Sequence, residues 1–460
     1  MQRSETDGKN TPYANAAGGW IFRLLSIAFF SFLISGCTEI DDLRDAYRPR
    51  NMREAYEIGL ESSGLGDTEM VSLWHQAGSY ALNNPVIPSS AHRERGFSDP
   101  VLPGASGFEI YLNRGERLVA ETAFLAPASG KIFLDLFLDM EAQSLGLRQV
   151  AASDSSQHLT FDANRTGRYV LRLQPELLVS GEYQVEFRKT SSVIFPVAGK
   201  NSSAIQSRFG EPRDGGRRSH HGVDIFASRR TPVIAAVSGT VSRVQNGGLG
   251  GKTVWLRDAR SGSSFYYAHL DEQFVRRGQR VLQGDTLGLV GNTGNARTTP
   301  PHLHFGIYSN GPIDPYPYVH SPSPKWSRLD VTESNIGTWM RTNVRGAVLR
   351  SSPNDRSSRL ATLNRFTSVR AIAGSGSFYR VVLPDGATGY ISDTMLESAL
   401  LPIGEIVLTE SRALQSDPTV ASASVGVQLA GNRILVNGRF GDFLRVQTES
   451  GQTGWLQDAP

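Results

Sequence analysis

The sequence predicts a mainly β chain of several domains, and three observations carry that expectation. From about residue 96 to 190, apolar and polar residues alternate in short runs, the period of half-buried strands. From about 193 to 315, short apolar runs are punctuated by glycines, as in a small antiparallel β structure. Beyond residue 336, one unit recurs at a constant offset of 65 residues. A chain of 460 residues also exceeds one ordinary domain, so three or four are expected.

The chain opens with Trp20-Ile21-Phe22 and an apolar stretch from Leu24 to Gly36, broken only by Arg23. Its apolar core of about 13 residues is shorter than the roughly 20 a spanning helix needs, and suits a secretory signal. Arg3, Lys9 and Arg23 supply positive charge ahead of it, diluted by Glu5 and Asp7. Ile34-Ser35-Gly36-Cys37 resembles the lipobox of bacterial lipoproteins, which implies a signal peptide over 1–37 and a lipid on Cys37. Thr38 rather than Asp follows the cysteine, and that likeness points to the periplasmic face of the outer membrane. Cys37 is the only cysteine, so no disulfide forms within the chain and its cores must hold it together. Several acyl chains on one residue give a stable anchor without a spanning helix.

Residues 38–85 are expected to form a helical spacer. Ile40, Leu43 and Tyr47, then Met70, Leu73, Trp74, Ala77 and Ala81, recur at helical spacing, with Gly64-Leu65-Gly66-Asp67 as a turn. Residues 86–190 read as a small β-sandwich. Phe108–Leu112, Lys131–Phe137, Tyr169–Leu173 and Tyr183–Phe187 alternate as strands, with Thr166-Gly167 and Ser180-Gly181 at turns. No catalytic constellation appears there.

Pro315 to Pro324 is rich in proline and serine, and a linker is placed at 319–335. The duplication then divides the remainder into 336–398 and 399–460. Leu349-Arg350-Ser351-Ser352-Pro353 matches Leu414-Gln415-Ser416-Asp417-Pro418, and Phe378-Tyr379-Arg380-Val381 matches Phe443-Leu444-Arg445-Val446. Gly389-Tyr390-Ile391 likewise matches Gly454-Trp455-Leu456. Short strands, a Ser-x-Pro turn and this closing step resemble bacterial SH3-like domains, which implies two SH3-like β-barrels. Such modules often hold a wall polymer, and tandem copies raise occupancy on a repeating ligand. Tyr390 and Trp455 are expected in the cores.

Net charge is +3, with 20% charged residues scattered along the chain, which argues against nucleic acid as a partner.

The chemistry is concentrated elsewhere. Five of nine histidines lie between His220 and His304, in His220-His221-Gly222-Val223-Asp224, Tyr267-Ala268-His269-Leu270 and Pro301-His302-Leu303-His304-Phe305. On a strand, His220, Gly222 and Asp224 share one face while His221 and Val223 take the other. Gly222 would then leave room for an ion or substrate, and His221 receives no role. His302 and His304 also project to one side. Two such strands gather two imidazoles and a carboxylate, the open three-ligand set of a catalytic zinc.

These motifs, with Ser207-Arg208-Phe209-Gly210, Gly278-Gln279-Arg280-Val281, Gly284–Gly288 and Gly291-Asn292-Thr293-Gly294 in the same order, resemble the lysostaphin/LytM-type zinc metallopeptidases. The likeness covers about 193–315 and sets an antiparallel β peptidase domain at 191–318. It implies one Zn²⁺ per chain on His220, Asp224 and His304, with His269 and His302 as unbound catalytic residues. Zinc lowers the pKa of its water towards about 7 and polarises a carbonyl. A neutral imidazole suits the water's proton, for which His302 is favoured. His269 would steady the oxyanion.

The resemblance therefore implies a membrane-anchored zinc metallo-endopeptidase that hydrolyses peptide cross-links of peptidoglycan in cell-wall remodelling. The expected partners are peptidoglycan, the membrane through Cys37, and a regulatory envelope protein. The alternative is a non-hydrolytic wall-binding activator of another hydrolase. Some relatives of that kind have lost their ligands, whereas all three positions are filled here.

Overall fold

The structure is a computed structural model that describes residues 49–88, 91–140, 146–326 and 328–458. The expected signal segment, Cys37, and Ile40, Leu43 and Tyr47 of the expected spacer lie outside these residues. No helix among the described residues is long and apolar enough to cross a membrane.

Two helices precede the strands, α1 (Met52–Ser62) and α2 (Glu69–Asn83). The Thr68 hydroxyl caps α2 by accepting from the Val71 amide, satisfying one of the orphan donors at its start. Trp74 and Ala81 are buried, as the periodicity predicts, but Leu73 is exposed and Val71 takes the inward place. The helix is no free spacer. The Trp74 indole N–H donates to the Pro175 carbonyl at 2.8 Å, and its ring meets Phe133 edge-on.

The next eight strands form two facing sheets. They are β1 (Ala91–Ser98), β2 (Ser106–Leu112), β3 (Glu116–Phe124), β4 (Ile132–Asp139), β5 (Leu147–Ala152), β6 (His158–Asp162), β7 (Gly167–Pro175) and β8 (Gly181–Ser191). One sheet runs β2-β7-β4-β5 and the other β1-β8-β3-β6, all antiparallel. Phe108, Leu112, Leu118, Leu134, Leu136 and Leu171 fill the space between. At about 25 cal/mol per Å² of apolar area, this burial is the main stabilising term for the sandwich.

Twelve strands follow. They are β9 (Ile205–Ser207), β10 (Pro212–Arg213), β11 (Arg218–Ser219), β12 (Val223–Phe226), β13 (Pro232–Ile234), β14 (Gly239–Asn246), β15 (Lys252–Arg257), β16 (Ser264–Gln273), β17 (Arg280–Val281), β18 (Thr286–Val290), β19 (His302–Tyr308) and β20 (Pro312–Ile313). The main sheet runs β17-β14-β15-β16-β19-β12-β9, with β18 pairing on both β13 and β16. Val223, Ile225, Tyr267, Leu303 and Phe305 form its core, so their strand neighbours of opposite parity face outwards. Val319 belongs to the same core, so the proline-rich stretch begins as part of this domain.

The duplicated region holds β21 (Trp339–Thr342), β22 (Ala347–Arg350), β23 (Arg359–Leu363), β24 (Ser368–Ser375), β25 (Phe378–Val382), β26 (Thr388–Ser392) and β27 (Leu396–Ser398), then β28 (Gly404–Val407), β29 (Arg412–Gln415), β30 (Ser424–Gln428), β31 (Arg433–Phe440), β32 (Phe443–Thr448) and β33 (Thr453–Gln457). The starts of β21 to β26 recur in β28 to β33 at the offset read from the sequence. The expected closed barrels are instead open sheets: among the described residues, strand pairing closes neither copy. Strand β1 of the sandwich pairs with the edge of β24 through Arg95↔Gly374 and Gly96↔Ala373, joining both into an 11-stranded sheet.

A charged pair is sealed at that junction. Arg380 donates to Glu94 from Nε at 2.9 Å, and the Tyr390 hydroxyl donates to the same carboxylate at 2.9 Å. All three side chains are essentially inaccessible. Burial works against a charged Glu94, but Arg380 and His92 outweigh it and hold its carboxyl down at about 2. Tyr390 and Trp455 are core residues, as expected.

Candidate metal centre

Strands β12 and β19 lie side by side with Asp224 directly opposite His304, so the two ligand-type side chains meet on the outward face. His220 arrives differently from the expectation. It sits in the loop before β12 rather than on the strand, and hydrogen bonds through its backbone hold it there. Its amide donates to the Glu211 carbonyl and its carbonyl accepts from the Gly210 amide, both at 2.8 Å. Gly222 does not leave an open space either. A Cβ there would stand 2.8 Å from His304 Nε2 and 2.5 Å from the Phe305 carbonyl, so the missing side chain admits the His304 ring.

Three atoms converge. His220 Nε2 lies 3.1 Å from Asp224 Oδ1 and 2.9 Å from His304 Nδ1, and His304 Nδ1 lies 3.0 Å from Asp224 Oδ1. Among the described residues, this trio is the set able to hold a metal ion. The donor chemistry fits a cation. His220 Nδ1 lies 2.8 Å from the Arg208 carbonyl and 2.9 Å from Arg213 Nη2, so Nε2 is the nitrogen turned to the other two side chains. That Nε2 faces a carboxylate oxygen and the His304 Nδ1. Ligand atoms gathered at that separation need a positive charge between them, a metal ion or a proton. Two His nitrogens and one carboxylate oxygen suit zinc with an open fourth position.

Outer partners fix these ligands. Arg213, on the β10–β11 hairpin, donates to Asp224 Oδ2 at 2.9 Å and also to the Ser207 hydroxyl. That leaves Oδ1 of the carboxylate for the metal. Burial raises the Asp224 carboxyl, but its hydrogen bonds to His220 and His304 prevail and hold it well below the usual carboxylate range. The Arg208 guanidinium stacks 3.6 Å over the Tyr316 ring, securing the loop whose carbonyl orients His220.

His302 shares the outward face of β19 with His304, two residues apart. Its Nδ1 lies 2.9 Å from the Pro300 carbonyl, so Nε2 is the free nitrogen, 4.0 Å from Asp224 Oδ1. Phe226 stacks on the ring at a centroid distance of 5.0 Å.

His269 reaches the groove by a backbone irregularity. Strand parity would place it with Tyr267 in the core. Its φ of +62° instead lies in the left-handed region, where β16 changes partner from β19 to β18. The side chain thereby turns to the groove, with Nδ1 held 2.9 Å from the Thr293 carbonyl. Gly251, itself at φ +64°, permits this. A Cβ there would meet Thr293 Oγ1 at 2.3 Å. Burial, then the neighbouring His302 and His304 rings, push the His269 imidazole down to about 4, so it is neutral at ordinary pH. The His269 and His302 rings are 5.0 Å apart between centroids.

All five predicted side chains line one groove of about 550 Å³, whose walls among the described residues come from between Ser207 and Tyr308. His221 contributes to the rim rather than to the metal triangle. The residues missed in the sequence were Arg213, Phe226 and the Arg208 carbonyl. Arg213 has no local signal, because only the hairpin's return brings it to Asp224.

These features define a class: a β-sheet domain whose groove gathers three side chains able to hold a metal ion, with two further imidazoles beside them. Residues 218–315 match peptidase family M23, and residues 345–397 match the bacterial SH3 domain, so the chain carries a domain of each. It is 34% identical over 149 residues to the L-Ala–D-Glu endopeptidase of Bacillus subtilis, covering 30% of this chain and 44% of that protein. It is 32% identical over 164 residues to the peptidoglycan DD-endopeptidase ShyC of Vibrio cholerae, covering 36% of this chain and 35% of the relative. Among solved structures, the catalytic domain of lysostaphin from Staphylococcus simulans is similar at 32% identity, with 24% of this chain and 88% of that one covered and a TM-score of 0.22. The chain thus spans less than half the length of the two curated relatives.

Proposed function

We propose that the protein is a zinc metallo-endopeptidase that hydrolyses peptide cross-links of bacterial peptidoglycan. The observation that carries this reading is the triangle of His220 Nε2, Asp224 Oδ1 and His304 Nδ1, with sides of 2.9–3.1 Å. The relatives' endopeptidase names support it.

Zinc on these ligands would supply a water acidified to about pKa 7 and a polarised scissile carbonyl. The chain's own residues supply the rest. His302, with Nδ1 tied to the Pro300 carbonyl, presents a bare Nε2 to accept the water's proton, and Phe226 fixes its plane. His269 enters neutral with the same arrangement, Nε2 towards the groove. Once either ring has taken a proton, its Nε2–H can donate to the developing oxyanion or pass the proton to the leaving amine. Both rings are thus equipped for both duties, and we assign the base to His302 because it lies nearer Asp224.

We further propose that Cys37 is lipidated and anchors the protein at the periplasmic face of the outer membrane, and that the C-terminal repeats hold the wall. The lipobox-like Ile34–Cys37 and the SH3 match support these two readings. The filled ligand set counts against the alternative of a non-hydrolytic activator.

The test is digestion of purified sacculi by the full-length protein, with and without a chelator, followed by muropeptide analysis. Chelator-sensitive loss of cross-linked dimers is expected. Unchanged dimers in zinc-replete buffer would rule the hydrolase out.

A further inference from the structure

One stretch of the groove is unused by the chemistry just described. Trp255 on β15, Tyr266 on β16 and Tyr308 on β19 stand on the same outward face as the metal ligands. Trp255 is directly opposite Tyr266 in the ladder, and Tyr266 is opposite Gly306, two residues from Tyr308. The ring centroids of Trp255 and Tyr266 are 4.4 Å apart, those of Trp255 and Tyr308 5.1 Å, and those of Tyr266 and Tyr308 6.3 Å. Tyr266 also meets His304 edge-on at 5.8 Å, so the cluster begins at the edge of the metal site.

Each ring is only half-buried, and Tyr266 and Tyr308 line the groove itself. Tyrosine and tryptophan normally find a partner for their polar tip when packed away. Here neither the two phenol hydroxyls nor the Trp255 indole N–H makes a hydrogen bond to any described residue. Tyr266 and Tyr308 thus border whatever occupies the groove, with Trp255 packed against both and all three polar rims uncommitted.

The backbone beneath narrows what that can be. Strand β16 is flanked by β15 and β19 along this stretch, so its amides and carbonyls are already paired. A peptide strand cannot add there by backbone pairing, which is the usual way an extended chain docks on a sheet. Recognition must run through ring faces and their hydroxyls. A pyranose ring matches that surface, with C–H bonds on its flat side and hydroxyls around its edge.

We propose that Trp255, Tyr266 and Tyr308 form a sugar-binding shelf that holds an amino-sugar ring of the glycan strand while the attached peptide reaches the metal. This rests on the reading of the protein as a peptidoglycan endopeptidase. The reach is adequate. Tyr308 lies four residues along β19 from His304, roughly 13 Å at about 3.3 Å per residue, and an extended peptide of about four residues spans the same distance.

The test compares a cross-linked peptide still bearing its disaccharides with the same peptide after the sugars have been removed. Turnover is measured with zinc-loaded full-length protein, and binding by calorimetry with the His302→Ala variant. The wild type should favour the sugar-bearing form by at least tenfold in kcat/KM and in binding. Tyr308→Leu and Trp255→Leu should each erase most of that preference, while kcat/KM on the sugar-free peptide changes less than about threefold. Tyr266→Phe, which removes only a hydroxyl, should reduce the preference in part. Equal handling of both forms by the wild type, or equal losses on both in the two leucine variants, overturns the shelf. Should no bond be cut in either form, the peptidase reading fails, and the calorimetric comparison still decides the shelf.

Discussion

His220 Nε2 and Asp224 Oδ1 face each other at 3.1 Å, with the ring's Nδ1 turned to the Arg208 carbonyl on its far side. With His304 Nδ1 as near to both, the pair suits a shared metal ion, and the consequences are measurable.

Removing any corner of the triangle should empty the site. His220→Ala, Asp224→Ala and His304→Ala are each expected to bring bound zinc from about one per chain to below about 0.1, with turnover lost alongside. Metal analysis of dialysed protein checks this. A variant that keeps full zinc would show that its residue is not a ligand.

The two remaining imidazoles should behave otherwise. His302→Ala and His269→Ala leave the three ligand atoms in place, so zinc should stay bound while kcat falls about 10²–10⁴-fold, the range for loss of a positioned acid or base. Loss of zinc in His302→Ala would reverse the assignments of His302 and His304.

Arg213 touches the site through Asp224 Oδ2, His220 Nδ1 and the Ser207 hydroxyl, outside the metal triangle itself. Partners of metal ligands typically contribute 10–100-fold to metal affinity. Arg213→Ala is therefore expected to weaken zinc binding by about that factor in a competition titration with a chromophoric chelator. Arg213→Lys should recover only part, since one ammonium replaces a planar fork. Wild-type affinity in Arg213→Ala would make the contact incidental.

The pair sealed between sandwich and first repeat gives a stability prediction. Glu94→Gln leaves Arg380 buried without its counter-charge, which should cost about 3–5 kcal/mol. Chemical denaturation of the full chain measures it. The sign of the pH dependence follows from the lowered Glu94 carboxyl. Its contribution is present above the unfolded value of about 4.5 and is lost as pH falls towards about 2. The wild type should lose stability over that window more steeply than Glu94→Gln.

Cys37→Ser is expected to move the protein from the membrane to the soluble envelope fraction while zinc content and turnover on a soluble substrate persist. Retention of the variant on membranes after a high-salt wash would contradict the lipid anchor.

Much of this was legible in the linear order. The alternation in Tyr183–Phe187 announced a strand because a half-buried sheet imposes a period of two. The 65-residue offset announced two copies because each needs the same turns at the same places. His302 and His304 were legible as a pair for the same reason of parity. His220 was legible only as a chemical type, since the parity argument put it on a strand it does not join. His269 was not legible from parity at all. A left-handed residue in the middle of β16 reverses the side on which its ring emerges, and the amino acid itself gives no sign of it.

What the chain dictated unaided was the inventory: which side chains can bind a cation, which segments become strands, and how often the unit repeats. What folding alone decided was adjacency. Arg213 meets Asp224, Arg380 meets Glu94, and β1 closes on the edge of β24 because hydrogen-bonding edges and buried charges must find partners across long separations. Those partners are selected by geometry in three dimensions, and nothing within a short window of residues specifies them.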